Sequence, residues 1–464
     1  MSNAKLKCLA MAAGVSLATM TGSGATCFAQ PAWVGKVVAR IHHMVKVDQP
    51  RIPNRTFNIK SFGAVGNATT INTSAIEKTI QACEKAGGGE VLVPAGDYLT
   101  GPLVLVSNMN FHLARGAEIR MAANPKYYLP SVKKQRNIEH PGYRNCIVAV
   151  HAHDIAITGH GTIDGQGQAW WPRYRKQPGH KHPPKLPHRP FMVVLENCTR
   201  VLVQNVHLEN SPMFHLVPNQ CRDVMIDHVT ITAPINTPNT DACDPSGWNY
   251  YITRCTFNEG DDCIAIKAGA RNGTPSRPSC ENFLITHCTF EHGHGMSVGG
   301  QTNGCLKYVV VRNCTFDHTH RGVRLKAGPG YGGLSEYLWY QNLTMRNVRL
   351  PVFINSFYPK KPKTPSQVPA LRTHRNLPIW KHVYFENVTS VNSPHAGRIS
   401  ALPGLPADDI VFSNVHIRAN RGFTILNARN IRFINSSITV KHGPAIIPYN
   451  AQVAGINLKT GGGR

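Results

Sequence analysis

The sequence is poor in charge, and poorest in negative charge. Asp, Glu, Lys and Arg together make up 16% of its 464 residues, where about a quarter is usual. That scarcity argues against helical bundles and coiled coils built on Glu and Lys. No two cysteines are spaced CxxC, which excludes a zinc ribbon or a thioredoxin-like redox motif. Beyond the first thirty residues no apolar run approaches the ~18 residues of a membrane span. Patterns for helices crossing between strands are also missing. What is abundant is glycine (40), proline (33) and a hydrophobic fraction of 42%, the mark of many short elements joined by turns around a real core. The 50 Lys and Arg outnumber 25 acids, giving +25; such a field suits a polyanionic partner, whether nucleic acid, anionic membrane or acidic polysaccharide.

The N-terminus narrows that choice. Lys5 and Lys7 precede an apolar run, Cys8 to Ala18, followed by a Gly/Ser/Thr-rich stretch and Cys27-Phe28-Ala29-Gln30. This is the layout of a secretory signal peptide cleaved after Ala29. The expectation is a signal at 1–29, a lead segment at 30–56 and a single domain at 57–464, exported to the medium or a periplasm. Of 13 cysteines, 11 remain after removing Cys8 and Cys27, an odd number that leaves at least one thiol without an intrachain partner. Several recur at one phase of a repeat, where a small buried residue in a stack serves as well as a disulfide.

That repeat dominates the chain. Short β-branched runs each end in a polar residue: Val201-Leu-Val-Gln-Asn205, Val224-Met-Ile-Asp-His228, Tyr251-Ile-Thr-Arg254, Leu284-Ile-Thr-His287 and Val309-Val-Val-Arg-Asn313, with later copies ending at Asn342, Asn387, Asn414 and Asn435. From Asn205 the intervals are 23, 26, 33, 26, 29, 45, 27 and 21 residues. Three copies share the tail Cys-Thr-Phe, at Cys255, Cys288 and Cys314. Strands repeating at this period without crossover helices predict an all-β, right-handed single-stranded parallel β-helix, each coil burying its face against the next. An antiparallel sandwich would not return the same tail at the same phase. The polar corner residues fit stacked ladders rather than chemistry. Ser74-x-x-Glu77 reads as a capping box opening an amphipathic helix (Ile76, Ile80, Cys83) that Gly87-Gly88-Gly89 stops, a cap on the solenoid's open end. Trp171–Pro190 and Pro359–Pro378 break the period and read as surface loops flanking a groove; His180 and His182 are placed there as solvated residues.

Four polar clusters fall about one coil apart: Asn239-Thr240-Asp241, Gly260-Asp261-Asp262, Gly293-His294-Gly295 and Arg324-Leu325-Lys326. Coils stack about 4.8 Å apart, so the clusters should lie side by side. Strand alternation puts Asn239 and Asp241 on one face, and Arg324 and Lys326 on one face with Leu325 in the core. Gly260 supplies the bend that lets both adjacent aspartates reach the groove. Crowded carboxylates raise at least one pKa, and two carboxyl groups in different protonation states are what glycoside hydrolysis requires. The Arg/Lys pair offers a seat for a substrate carboxylate. A metal site on His292 and His294 is the weaker reading, there being no cysteine at ligand spacing.

These clusters resemble those of glycoside hydrolase family 28, the polygalacturonases. So do the flanks Phe62-Gly-Ala-Val-Gly66, Val93-Pro-Ala-Gly-Asp-Tyr98, Gly161-Thr-Ile-Asp-Gly-Gln-Gly167 and Asn210-Ser-Pro-Met-Phe-His215, so that the likeness runs over roughly residues 57–440. The resemblance implies a right-handed β-helix that hydrolyses α-1,4 links between galacturonic acids with inversion. It implies Asp261 as general acid, Asp241 and Asp262 as the pair activating water, and His294 as support for the acid's protonation. It further implies Arg324 and Lys326 as carboxylate grips, Asn239 as a groove residue, and Tyr358, in the looser motif Ile354-Asn-Ser-Phe-Tyr358, as a substrate contact. Leu325 stands where isoleucine is usual, and Tyr331 where a basic residue is frequent. The expected partner is polygalacturonate or pectin, acted on by a monomer without metal or cofactor, and with neither nucleic acid nor membrane as partner. Endo cleavage is favoured over exo; action on rhamnogalacturonan or xylogalacturonan is a further alternative. A calcium-dependent pectate lyase and a non-catalytic binding β-helix are the readings from other classes.

Overall fold

The computed structural model describes residues 31–44, 47–129, 142–174, 187–269, 273–371 and 373–455. The expected signal peptide and the histidines at 180 and 182 lie outside the described residues. The rest is a right-handed parallel β-helix. One register runs through nine successive coils: Ile155, Val201, Val224, Tyr250, Phe283, Val309, Leu338, Val383 and Ile410 pair in turn, each with the next. All nine side chains are buried. The spacing read from the sequence is therefore the coil itself.

Like residues stack on like because each coil repeats the last. Phe290 stacks on Phe316 with centroids 4.4 Å apart, and Phe385, Phe412 and Phe433 continue at 4.9 and 4.5 Å. Such pairs add roughly 0.5–1.5 kcal/mol each beyond the area they bury. Asn313, Asn342, Asn387 and Asn414 turn the corner with φ between 52° and 54°, a left-handed conformation that Asn tolerates better than most residues. Their amides form a ladder, Asn342 donating to Asn313 at 2.9 Å, Asn387 to Asn342 at 2.9 Å and Asn414 to Asn387 at 2.8 Å. All eleven cysteines among the described residues are buried free thiols. Burial pushes the Cys83 and Cys280 thiols up to about 11, which keeps them protonated and unreactive.

Two helices of more than two turns flank the solenoid among the described residues. Within the lead segment, Val34–Met44 forms a helix, α1. Its foot is seated on an outer apolar face. Trp33, Val34 and Val37 pack with Leu284, Val310, Trp339, Tyr384 and Val411, and Trp33 Nε1 donates to Asp409 Oδ2 at 3.0 Å. The second helix, α2 (Thr73–Lys85), is the predicted cap, burying Ile76, Ile80 and Cys83. It starts one residue before the expected box: the N-cap is Asn72, not Ser74. Thr73 is held instead by the neighbouring coil, its Oγ1 accepting from Gly101 N at 2.7 Å. Gly88 N closes the far end by donating to Cys83 O at 2.9 Å.

One sheet of the solenoid carries or adjoins the candidate residues. It climbs through Val193–Glu196 and Leu216–Asn219, then by a bridge at Cys243 to Ile264–Ile266, Met296–Gly300, Val323–Ala327 and Val352–Asn355.

Candidate active site

Strand Val323–Ala327 settles the orientation of two cations. Leu325 is wholly buried in the core, so Arg324 and Lys326 share the opposite face. Two coils earlier, Gly260 passes so close to Thr237 that a Cβ would lie 2.5 Å from its carbonyl oxygen. Only glycine fits there. The bend brings both following carboxylates to one imidazole: His294 Nδ1 is 2.9 Å from Asp261 Oδ1 and 3.4 Å from Asp262 Oδ1.

Asp262 is the centre of the cluster. Arg324 Nη1 and Lys326 Nζ make short contacts to its two oxygens, and Ser297 Oγ donates to Oδ1 at 3.2 Å. Burial alone would raise its pKa; the Lys326 and Arg324 charges override that and hold the carboxyl well below the usual carboxylate range. His294 shows the opposite balance: burial lowers its pKa, but the bonds to Asp261 and Asp262 more than offset this and raise it.

Asp241 follows a different route from the expected one. No strand lies between Thr232 and Gly247, and Asn239 is left-handed at φ 53°. Strand alternation therefore does not apply to Asn239-Thr240-Asp241. Thr240 turns in to meet Thr237 Oγ1 at 2.8 Å, Asn239 is exposed, and Asp241 is buried. His215 fixes this turn, its backbone N donating to Asp241 O at 2.8 Å while its buried ring lies 3.2 Å from the same oxygen. Burial, then the negative charges of Asp261 and Asp244, push the Asp241 carboxyl well above its ordinary value.

Three charged residues join the site that the motifs did not mark. Lys267 Nζ lies 3.3 Å from Asp244 Oδ2 and 3.7 Å from Asp241 Oδ2. Arg189, buried, donates to Pro212 O, Pro238 O and Asn239 Oδ1 at 2.7, 2.8 and 3.1 Å. It comes from the Pro/His/Lys-rich stretch read as a solvated loop. A lone lysine directly after the apolar strand Ile264–Ile266 was the available signal for Lys267; Arg189 stands 50 residues from Asn239 and had none. Tyr358 is where the looser motif placed it, with Lys326 Nζ 5.1 Å and Arg324 Cζ 5.8 Å from its ring centroid.

Asp261, Asp262 and His294 offer ligand atoms all within 4.8 Å of one another. Both Asp262 oxygens are already taken by Lys326 and Arg324, whose charges oppose a second cation there. His292, the other half of the possible metal pair, points its Nδ1 to Asn258 Oδ1 at 3.0 Å.

The chain matches the profile of the Glycosyl hydrolases family 28 over residues 83–438. It is 28% identical over 400 residues to a probable polygalacturonase of Vitis vinifera, covering 82% of this chain and 78% of that protein. It is 30% identical over 373 residues to a polygalacturonase of Chamaecyparis obtusa, covering 79% and 68%. Among solved structures, a hyperthermoactive exopolygalacturonase from Thermotoga maritima superposes with a TM-score of 0.73 at 25% identity, covering 86% of this chain and 96% of that one.

Proposed function

The chain belongs to glycosyl hydrolases family 28, and we propose that it is a polygalacturonase cleaving internal α-1,4 linkages of polygalacturonate with inversion. The observation that carries this is the unequal environment of neighbouring carboxyls. Asp262 is pinned as an anion by Lys326 and Arg324, while Asp241 is pushed toward its neutral form. Asp261 stands between them on the His294 ring.

In this reading Asp261 gives its proton to the glycosidic oxygen as the bond to the anomeric carbon breaks. Water held by Asp241 and Asp262 attacks that carbon from the opposite face and leaves its proton on the pair. Lys267, by countering Asp241, keeps enough of it ionised to take part. His294 shares its ring nitrogen with both aspartates and returns the proton to Asp261 between turnovers. Arg324 and Lys326, under the Tyr358 ring, hold Asp262 and grip a galacturonate carboxylate. Asn239, tied to Arg189, lines the groove opposite.

The test follows purified protein on de-esterified polygalacturonate, with and without a calcium chelator, recording reducing ends and ultraviolet absorbance together. Reducing ends without absorbance, indifferent to chelator, are expected. Absorbance abolished by chelator would mean β-elimination and would sink the roles given to Asp241, Asp261 and Asp262. The likeness to an exo-acting relative favours a second reading, release of units from chain ends; product length separates the two.

A further inference from the structure

Several arginines elsewhere on the solenoid find carboxylates. Arg200 pairs with Asp154, Arg254 with Asp227, Arg429 with Asp408 and Arg432 with Asp409. Around Arg324 and on the coils that follow it, six cations do not. Arg321, Arg349, Lys361, Lys363, Arg398 and Arg421 form no ion pair among the described residues, although they lie near one another.

Their placement continues the catalytic row. Arg324 pairs in register with Phe353, and Phe353 with Arg398, so two coil steps of about 4.8 Å separate the two arginines. Arg321 lies over the Phe353 ring at 5.1 Å, and His395 pairs with Arg421 on the next coil. Arg321 and Arg398 each keep a buried Nε without a partner. Burial, then repulsion from Arg324, Arg398 and Arg349, brings the Arg321 guanidinium down to about 10. The charges felt by Lys361 are likewise all cations: Arg321, Arg324, Arg398 and Lys326. Keeping like charges together without counter-ions opposes folding, and a ligand that brings the anions relieves it.

We propose that these six cations form a track on the C-terminal side of Arg324 and Lys326 that binds the carboxylates of successive sugars of an acidic polysaccharide. The inference rests on the polygalacturonase reading and deepens it, since it assigns the longer part of the substrate to named residues. A polymer with one carboxylate per sugar then gains affinity with each unit laid on the track, whereas a short oligomer spanning only the Asp262 cluster gains none.

Calorimetric titration of the full chain with short and long oligogalacturonates, at low and raised salt, tests this. The comparison uses Arg398→Gln and the exposed pair Arg349→Gln with Arg421→Gln, whose folding is checked by thermal melting. Long oligomers should bind more tightly than short ones, with the steeper salt dependence. Each lost carboxylate contact should weaken the long oligomer about tenfold and the short one far less. Equal losses on both lengths, or none, overturn the track. If Arg398→Gln fails to fold, the exposed pair decides alone. A chain that cleaves polygalacturonate but binds all lengths alike leaves the proposed function standing and removes the track. A chain that neither binds nor cleaves it removes both.

Discussion

Lys267 Nζ stands 3.7 Å from Asp241 Oδ2, a half-buried ammonium beside a carboxyl that burial and two other aspartates push toward neutrality. The negative charges of Asp244 and Asp241 overcome burial and keep this lysine protonated. It therefore works against the protonation of Asp241. In Lys267→Met, Asp241 loses that support and its pKa rises further. The acidic limb of the kcat profile should move to higher pH by about one unit or more. A limb that does not move while kcat falls would give Lys267 a packing role only.

Asp262 is the counter-ion for two buried cations. Asp262→Asn leaves them unpaired and should cost roughly 3–5 kcal/mol of stability as well as activity. Adding Lys326→Met to that variant should recover part of the stability and none of the activity. Denaturant unfolding of the three proteins, with reducing-end assays, checks both arms.

Gly260 offers a test of position without charge. In Gly260→Ala the new methyl would meet Thr237 backbone at 2.5 Å, so the Asp261–Asp262 segment must shift. Catalysis depends on sub-ångström placement, and kcat should drop by about tenfold or more with a smaller change in KM. Unchanged kcat would show that the bend tolerates displacement.

His215 links the same turn to pH. Burial pulls its pKa from 6.5 down to about 4, so the folded chain binds fewer protons than the unfolded one between those values. Its contribution is whole above 6.5 and is lost as pH falls toward 4, worth about 3 kcal/mol at one pH unit per 1.36 kcal/mol. His215→Gln should flatten that part of the stability curve. A curve of unchanged slope would assign the acid sensitivity to other groups.

Periodicity made the coil legible because one residue type recurs at one place in every turn. The corner residues from Asn205 to Asn414 fall on registers observed strand by strand, and Leu325 is in the core as alternation demanded. The site was legible where it sits on or beside strands stacked one coil apart. It was less so where it does not: Asn239 to Asp241 follow a turn whose shape depends on Thr237, Gly260 and His215, from other stretches of chain. Arg189 was invisible as a site residue for the same reason, and Lys267 carried only its place after an apolar strand, since their partners are brought to them by coiling. The foot of α1 escaped because its apolar stripe answers to the outer aromatics Trp339 and Tyr384, not to any repeat of its own.

The asparagine corner behaves as a ruler. Coils as different as the one between Asn313 and Asn342 and the one between Asn342 and Asn387 close on the same amide-to-amide step of 2.9 Å. The extra length leaves the solenoid as the Pro359–Pro378 loop, beside Tyr358, without moving the rung above or below. A lineage built on this plan can lengthen, shorten or recolour the wall of its groove while the reacting groups keep their separation, so variety in the polymer accepted need not disturb the bond that is cut.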